Sequence, residues 1–232
     1  MDGTMLSRRD FALTGTAAAG ALMMARPAAA SRAEGRLLFD VYREGDRIGT
    51  HTLRLRQEGE RIEADIDIDL AVKFAFVTAY RYRHRNREVY EGEQLVAMAS
   101  RTNNNGEQVA VDVRRDGDAL VVDGKGGRKR VAGDLIPTTY WQPRSVRQTR
   151  WIDSQNGRVV ESEVTALGSE RIRYEGREVP ADHFRLRGDL DCDLWYGPEG
   201  WAKLAFVVQG SRISYRRRAE SDVASLEQAV RS

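Results

Sequence analysis

Few residues of this chain are of types that could carry chemistry: three histidines, one cysteine and two runs of alternating aspartates. His51 lies in Thr50–Arg56, which alternates polar and apolar residues as a half-buried strand does. Turning that stretch over Gln57-Glu58-Gly59-Glu60, with Arg56 opposite Arg61, places His51 across from Ile66 on an apolar face. His84 shares a strand face with Tyr80 and Tyr82, while Arg81, Arg83, Arg85 and Arg87 take the other face. His183 follows Asp182 at a strand start. A histidine inside a sheet is more often a hydrogen-bonded filler than a catalyst, and no spacing gathers an acid, a base and a nucleophile. Without H-x-H, H-E-x-x-H or C-x-x-C, neither a zinc site nor another cofactor is expected.

The acidic runs Asp65-x-Asp67-x-Asp69 and Asp189-x-Asp191-x-Asp193 resemble calcium ligands only superficially. A calcium loop of the EF-hand kind needs a glycine after the third acid and a distal glutamate, which both runs lack. Alternate strand positions also lie ~6.5–7 Å apart, too far for a compact cage. The Asp65–Asp69 run instead complements the Arg81–Arg87 ladder, because like charges do not sit opposite one another cheaply. Cys192 stands between Asp191 and Asp193, whose charges raise a thiol pKa, and its own side chain points to an apolar face. It reads as an inert, buried thiol.

Short alternating runs broken by turn residues continue from Leu37 to Arg218, the pattern of an all-β antiparallel meander that forms a curved sheet, a half-open barrel or a barrel. Strands are expected at Ala79–Arg87, Leu95–Asn103, Glu107–Arg115, Ala119–Asp123 and Arg128–Val131, with Asn105-Gly106 as a two-residue turn. Asp134–Thr149, with two prolines and no alternation, reads as a long crossing loop with a short helix. Strands resume at Arg158–Thr165, Glu170–Tyr174, Arg177–Val179 and His183–Arg187. Leu190–Gly197 then meets Trp201–Val208 across Pro198-Glu199-Gly200, with Cys192 facing Phe206 and Leu194 facing Leu204. A turn at Gln209-Gly210 sets Phe206 opposite Ile213 and Leu204 opposite Tyr215. Val223, Leu226 and Val230 recur at helical spacing, so 31–218 is expected to form a single β domain and 219–232 a helical tail.

The inner face so defined is either a filled core or the wall of a cavity. In a filled core His51 is neutral and tied to a backbone or Tyr oxygen. In a cavity it is a lone polar group in an apolar wall, and the ligand-contacting set is His51, Tyr80, Tyr82, His84, Tyr140 and Trp141. Tyr140 and Trp141, in the irregular loop, serve either as packing anchors or as a pocket rim.

Phe39-Asp40-Val41-Tyr42, Ile48-Gly49, the Pro137–Pro143 loop and the Asp193-Leu194-Trp195-Tyr196…Gly200…Leu204-Ala205-Phe206 hairpin resemble those of an uncharacterised bacterial periplasmic family classed as a domain of unknown function. More distantly, the meander resembles the half-open barrels of LolA- and LolB-type lipoprotein carriers. The resemblance implies the fold and brings no catalytic residues with it. The long curved meander, the apolar inner face and the lack of a catalytic constellation suit a non-enzymatic protein that encloses an apolar, amphipathic or lipid-like ligand or binds an envelope partner. The competing reading is a periplasmic hydrolase or isomerase working through His51, His84 or His183. Charge excludes other classes: 37 Lys and Arg against 35 Asp and Glu leave a net +2, without the basic excess of a nucleic-acid binder.

Residues 1–30 read as an address. Ser7-Arg8-Arg9-Asp10-Phe11-Ala12-Leu13 matches the twin-arginine export signature, a weakly apolar stretch runs from Ala12 to Met24, and Ala28-Ala29-Ala30 fits a cleavage site. That stretch is shorter than the ~20 apolar residues of a membrane span, so an integral membrane protein is not expected. The expected partner in export is the twin-arginine translocase, and the expected location is the periplasm. Replacing Arg8 and Arg9 together with lysine is therefore expected to leave the uncleaved chain in the cytoplasm, read by cell fractionation and immunoblotting. Cleaved double variant in the periplasm would overturn the assignment.

Overall fold

A computed structural model describes residues 32–219, apart from 75, 76 and 175. The proposed leader (1–30) and C-terminal helix lie outside the described residues. Fourteen strands form one antiparallel meander: β1 (Arg32–Arg43), β2 (Asp46–Glu58), β3 (Arg61–Phe74), β4 (Val77–Glu91), β5 (Gln94–Asn104), β6 (Glu107–Asp116), β7 (Ala119–Gly124) and β8 (Gly127–Ala132), followed by β9 (Arg150–Ile152), β10 (Val159–Tyr174), β11 (Arg177–Gly188), β12 (Cys192–Gly197), β13 (Gly200–Val208) and β14 (Ser211–Arg217). Each strand pairs with its sequence neighbour, except that β8 and β9 do not pair and β1 pairs with β14. The sheet therefore has two arms that meet at the β1–β14 seam, with β8 and β9 as its outermost strands.

Period-two alternation gives the sheet two unlike faces. One row of the inner face runs Phe39, His51, Ile68, His84 and Thr102 across β1 to β5. The outer face of β3 and β4 carries the expected charge ladder: Asp67 meets Arg85 at 3.0 Å, and Asp69 meets Arg81 at 2.9 Å and Arg83 at 3.3 Å. Such exposed pairs are worth only ~0–1 kcal/mol each, so they set register more than stability.

The β2–β3 register differs from the expected one. Glu58 faces Arg61 across a two-residue turn, so His51 lies opposite Ile68 instead of Ile66, and Arg54 opposite Asp65 instead of Glu63. The shift is two residues, which leaves every side chain on its assigned face. The turn contracts because Gly59 adopts a left-handed φ of 61°. Similarly, Gly197 faces Gly200, so Pro198-Glu199 alone forms that turn, while the Cys192–Phe206, Leu194–Leu204, Phe206–Ile213 and Leu204–Tyr215 pairs stand as expected. β12 begins at Cys192, not Leu190. Asp189 and Asp191 thus precede the strand, and the second aspartate run does not alternate on one face. The four short strands expected between residues 158 and 187 are two long ones, β10 and β11, because the Ala166–Gly168 irregularity bends the pairing without ending it.

The segment from Gly133 to Thr149 carries the chain from β8 to β9, and its helical content is one 3-10 turn at Pro143–Val146. It passes across the inner face. Ile136, Trp141, Trp151 and Ile152 belong to the same buried cluster as Leu53, Leu120 and Leu194 from the sheet. Glu88 on β4, fully buried, anchors it. Its carboxylate accepts hydrogen bonds from Trp141 Nε1 (3.0 Å), Tyr90 Oη (2.8 Å) and Asn86 Nδ2 (2.8 Å), and also from the Thr139 side chain. Burial pushes the Glu88 pKa up, and the four donors oppose that shift. Further along, Lys125 N donates to Asn156 O at 3.0 Å, where the loop after β9 lies against β7. A methyl group on Gly124 would lie 2.6 Å from that same Asn156 oxygen, so only glycine permits the approach.

Glu88→Ala strands at least three buried donors at once. It is expected to destabilise the fold by roughly 3 kcal/mol in urea denaturation, with Glu88→Gln losing less because its amide oxygen still accepts. A Glu88→Ala variant within about 0.5 kcal/mol of the native chain would show that the carboxylate does not hold the segment.

Candidate functional site

The inner face is only partly filled. A cavity of ≈ 860 Å³ remains between β2–β4, the β13–β14 side of the sheet and the crossing segment. Alternation on β3 supplies the apolar wall, Ile66, Ile68 and Leu70, and Leu204, Phe206 and Ile213 face it from β13 and β14. The crossing segment adds Thr138, Thr139 and Tyr140, and the turn after β9 adds Asp153, Ser154 and Gln155. The exposed lining residues Asn105, Asp189, Asp191 and Gln209 mark the mouth. Arg187 pairs with Asp191 at 2.6 Å, and Arg43, a lining residue, donates to Ser211 Oγ at 2.8 Å.

Of the six residues proposed from sequence, five line this cavity: His51, Tyr80, Tyr82, His84 and Tyr140. Trp141 does not. It is buried beside Tyr90, with ring centroids 5.6 Å apart, and donates to Glu88. Tyr140 itself has a left-handed φ of 59°. Its carbonyl accepts from Tyr196 Oη at 2.7 Å, and its hydroxyl bonds to the Cys192 thiol. A tyrosine in that region is strained by ~1–3 kcal/mol, and the strain persists because both of its ends are held.

Tyr80 Oη donates to Asn104 Oδ1 at 2.8 Å, and Tyr82 stacks on His84 at 6.4 Å between ring centroids. His84 Nδ1 meets Thr102 Oγ1 at 2.9 Å. His51 is placed two strands away in the same row, with Ile68 between them. Only 4 % of His51 is exposed, and neither ring nitrogen has a hydrogen-bond partner. Aromatic rings surround it instead: Trp201 at 5.3 Å, Tyr215 at 5.7 Å and Phe39 at 5.8 Å. It is therefore tied to no backbone or tyrosine oxygen, unlike the histidine expected of a filled core. Burial lowers its pKa to about 3, helped by the nearby His84, and burial lowers His84 to about 4. Both imidazoles are neutral near pH 7.

His183 is elsewhere. It stacks on Trp195 at 4.2 Å and meets Asp193 at 3.2 Å, in a cluster apart from the cavity. The three histidines thus fall into two unconnected places, which separates His183, the one with carboxylate neighbours, from the cavity. Cys192 lines the cavity, and burial, opposed by its Tyr140 hydrogen bond, pushes its thiol up to about 12. Such a thiol carries almost no thiolate. Among the described residues no group of three or more His, Cys, Asp or Glu side chains is gathered where it could hold a metal ion.

Sequence reasoning did not assign Trp201, Tyr215 and Asp153 to the site. Strand parity already placed Tyr215 on the inner face; Asp153 lies in an irregular turn whose direction no periodicity encodes.

The profile of the DUF6134 domain of unknown function matches residues 39–218. The chain belongs to this family. Among solved structures it is similar to a β-barrel-like protein of the DUF1849 domain of unknown function from Brucella abortus, with a TM-score of 0.58 and 10% identity over 82% of this chain and 97% of that one. At that identity the likeness concerns the fold alone. Curated proteins give no significant match. Among the described residues of this DUF6134 protein, no helix is long and apolar enough to cross a membrane.

The two depressed histidines give a pH dependence with a definite sign. Their folded pKa values lie below the ordinary 6.5, so the unfolded chain binds more protons between about pH 6.5 and pH 3. Their contribution to stability is complete above pH 6.5 and is lost as pH falls through that window. The urea midpoint is expected to drop between pH 6.5 and 4.5, and His51→Phe, with no imidazole to protonate there, should flatten the drop. Parallel curves for native chain and variant would refute the buried neutral state of His51.

Proposed function

We propose that this protein binds an apolar or amphipathic small molecule in the cavity between the sheet and the crossing segment, and does so in the periplasm after twin-arginine export. The cavity carries the reading. Its volume falls in the ~300–1,000 Å³ range of ligand sites, its wall is mainly apolar, and a few fixed polar groups sit within it. A core that evolved only for packing leaves few voids larger than a water molecule. The leader signature supports the compartment, and the half-open meander is an architecture able to enclose a guest.

Native mass spectrometry of the chain purified from its own host is the direct test. The expected result is an adduct of small-molecule mass that organic extraction removes. Ile68→Trp, which fills the wall between His51 and His84, is expected to abolish the adduct while leaving the circular dichroism of the sheet in place. Absence of any adduct, together with failure of the extracted protein to take up an uncharged fluorescent probe such as N-phenyl-1-naphthylamine, would overturn the reading.

A further inference from the structure

Resting on that reading, we infer that the cavity selects an uncharged amphiphile whose polar end is a hydroxyl group, and that His51 is the residue that recognises it. A neutral imidazole offers one N–H donor and one bare nitrogen acceptor. In His51 both are unmet although the ring is almost wholly buried and borders the cavity. Leaving such groups unpaired is costly, and a ligand oxygen that pairs one of them recovers part of the cost. A hydroxyl can act as either partner.

Charge is excluded at this place on physical grounds. The rings around His51 are Phe39, Trp201 and Tyr215, and the residues beside it in its row are Phe39 and Ile68. An ion carried there would lose its water and meet no counter-charge. An anion meets a further barrier. Asp153 and Asp189 line the cavity besides Asp191, which Arg187 neutralises; Arg43 is the one lining guanidinium, and neither His51 nor His84 is protonated near neutral pH to attract an anion. Fatty acids and acidic phospholipids are therefore poor fits, whereas long-chain or ring alcohols and phenols suit both the wall and the polar end.

The test is displacement of N-phenyl-1-naphthylamine, at pH 7.5, from protein freed of co-purifying material, by 1-dodecanol, 1-chlorododecane and laurate. The affinity ratio of dodecanol to chlorododecane, whose chlorine is a poor hydrogen-bond partner, is expected to fall about tenfold in His51→Phe, and the native chain is expected to bind dodecanol more tightly than laurate. His51→Gln, which keeps a donor and an acceptor, retains the native ratio; thermal melts confirm that both variants fold. An unchanged ratio in His51→Phe, or tighter binding of laurate to the native chain, overturns this inference and leaves the binding reading standing. If neither the fluorescent probe nor any dodecyl compound binds, both fall together.

Discussion

A single buried carboxylate organises the interior. Glu88 sits fully buried on the inner face of β4, between Asn86 and Tyr90, and a carboxyl group there is tolerated only because donors surround it. Two of those donors, Asn86 and Tyr90, come from its own strand, while Trp141 and Thr139 come from the crossing segment. The carboxylate thus joins the edge-to-edge connection to one arm of the sheet, and Tyr196 joins it to the other by bonding the Tyr140 carbonyl. With these ties, and the Ile152 N–Ile136 O and Thr138 N–Ile152 O bonds that hold it to β9, the segment covers part of the trough and leaves the remainder as a cavity open at its mouth.

The same arrangement explains why the cavity is chemically mixed. Strands deliver a residue to it at every second position, mostly apolar or aromatic, with His51 and His84 among the exceptions. The irregular connections, free of that rule, deliver Thr138 from the crossing segment and Asp153, Ser154 and Gln155 from the turn after β9. Tyr140 is the joint between the two regimes: its own ring meets Cys192 and the cavity, while Trp141 turns back to Glu88. Two adjacent aromatic rings are thus divided, one to meet a guest and one to support the wall.

Strand parity made much of this legible in the sequence. His51, Tyr80, Tyr82 and His84 could be assigned to one inner surface because a one-residue slip moves every side chain to the other face. A two-residue slip carries no such penalty here. Arg54 finds an acidic partner in Glu63 or in Asp65, so charge matching could not separate a four-residue turn from the two-residue turn that forms. Likewise the parity of His84 puts Glu88 on the inner face, but nothing local marks it as an anchor until Trp141, 53 residues away, is brought to it. The emptiness of the inner surface was illegible for a related reason. Whether a wall is filled depends on where the crossing segment lies, and that path has no periodicity to read.

The seam between β1 and β14 bears on how the chain is made. These neighbours lie at opposite ends of the described sequence, so Phe39 waits for Arg217 and Val41 for Tyr215 before their backbones are paired. On a ribosome, every other strand meets a partner within one or two elements of its own synthesis. β1 has β2 on one side and an unmatched row of amide and carbonyl groups on the other until β14 emerges. An edge of this kind, carrying Leu37, Phe39 and Val41, is a template for pairing with other chains for as long as it stands open. Pairing over so long a separation is also slow. A molecule wired in this way keeps its first described strand open to mispairing until β14 is made, so its yield on refolding depends on how long β1 stands unshielded.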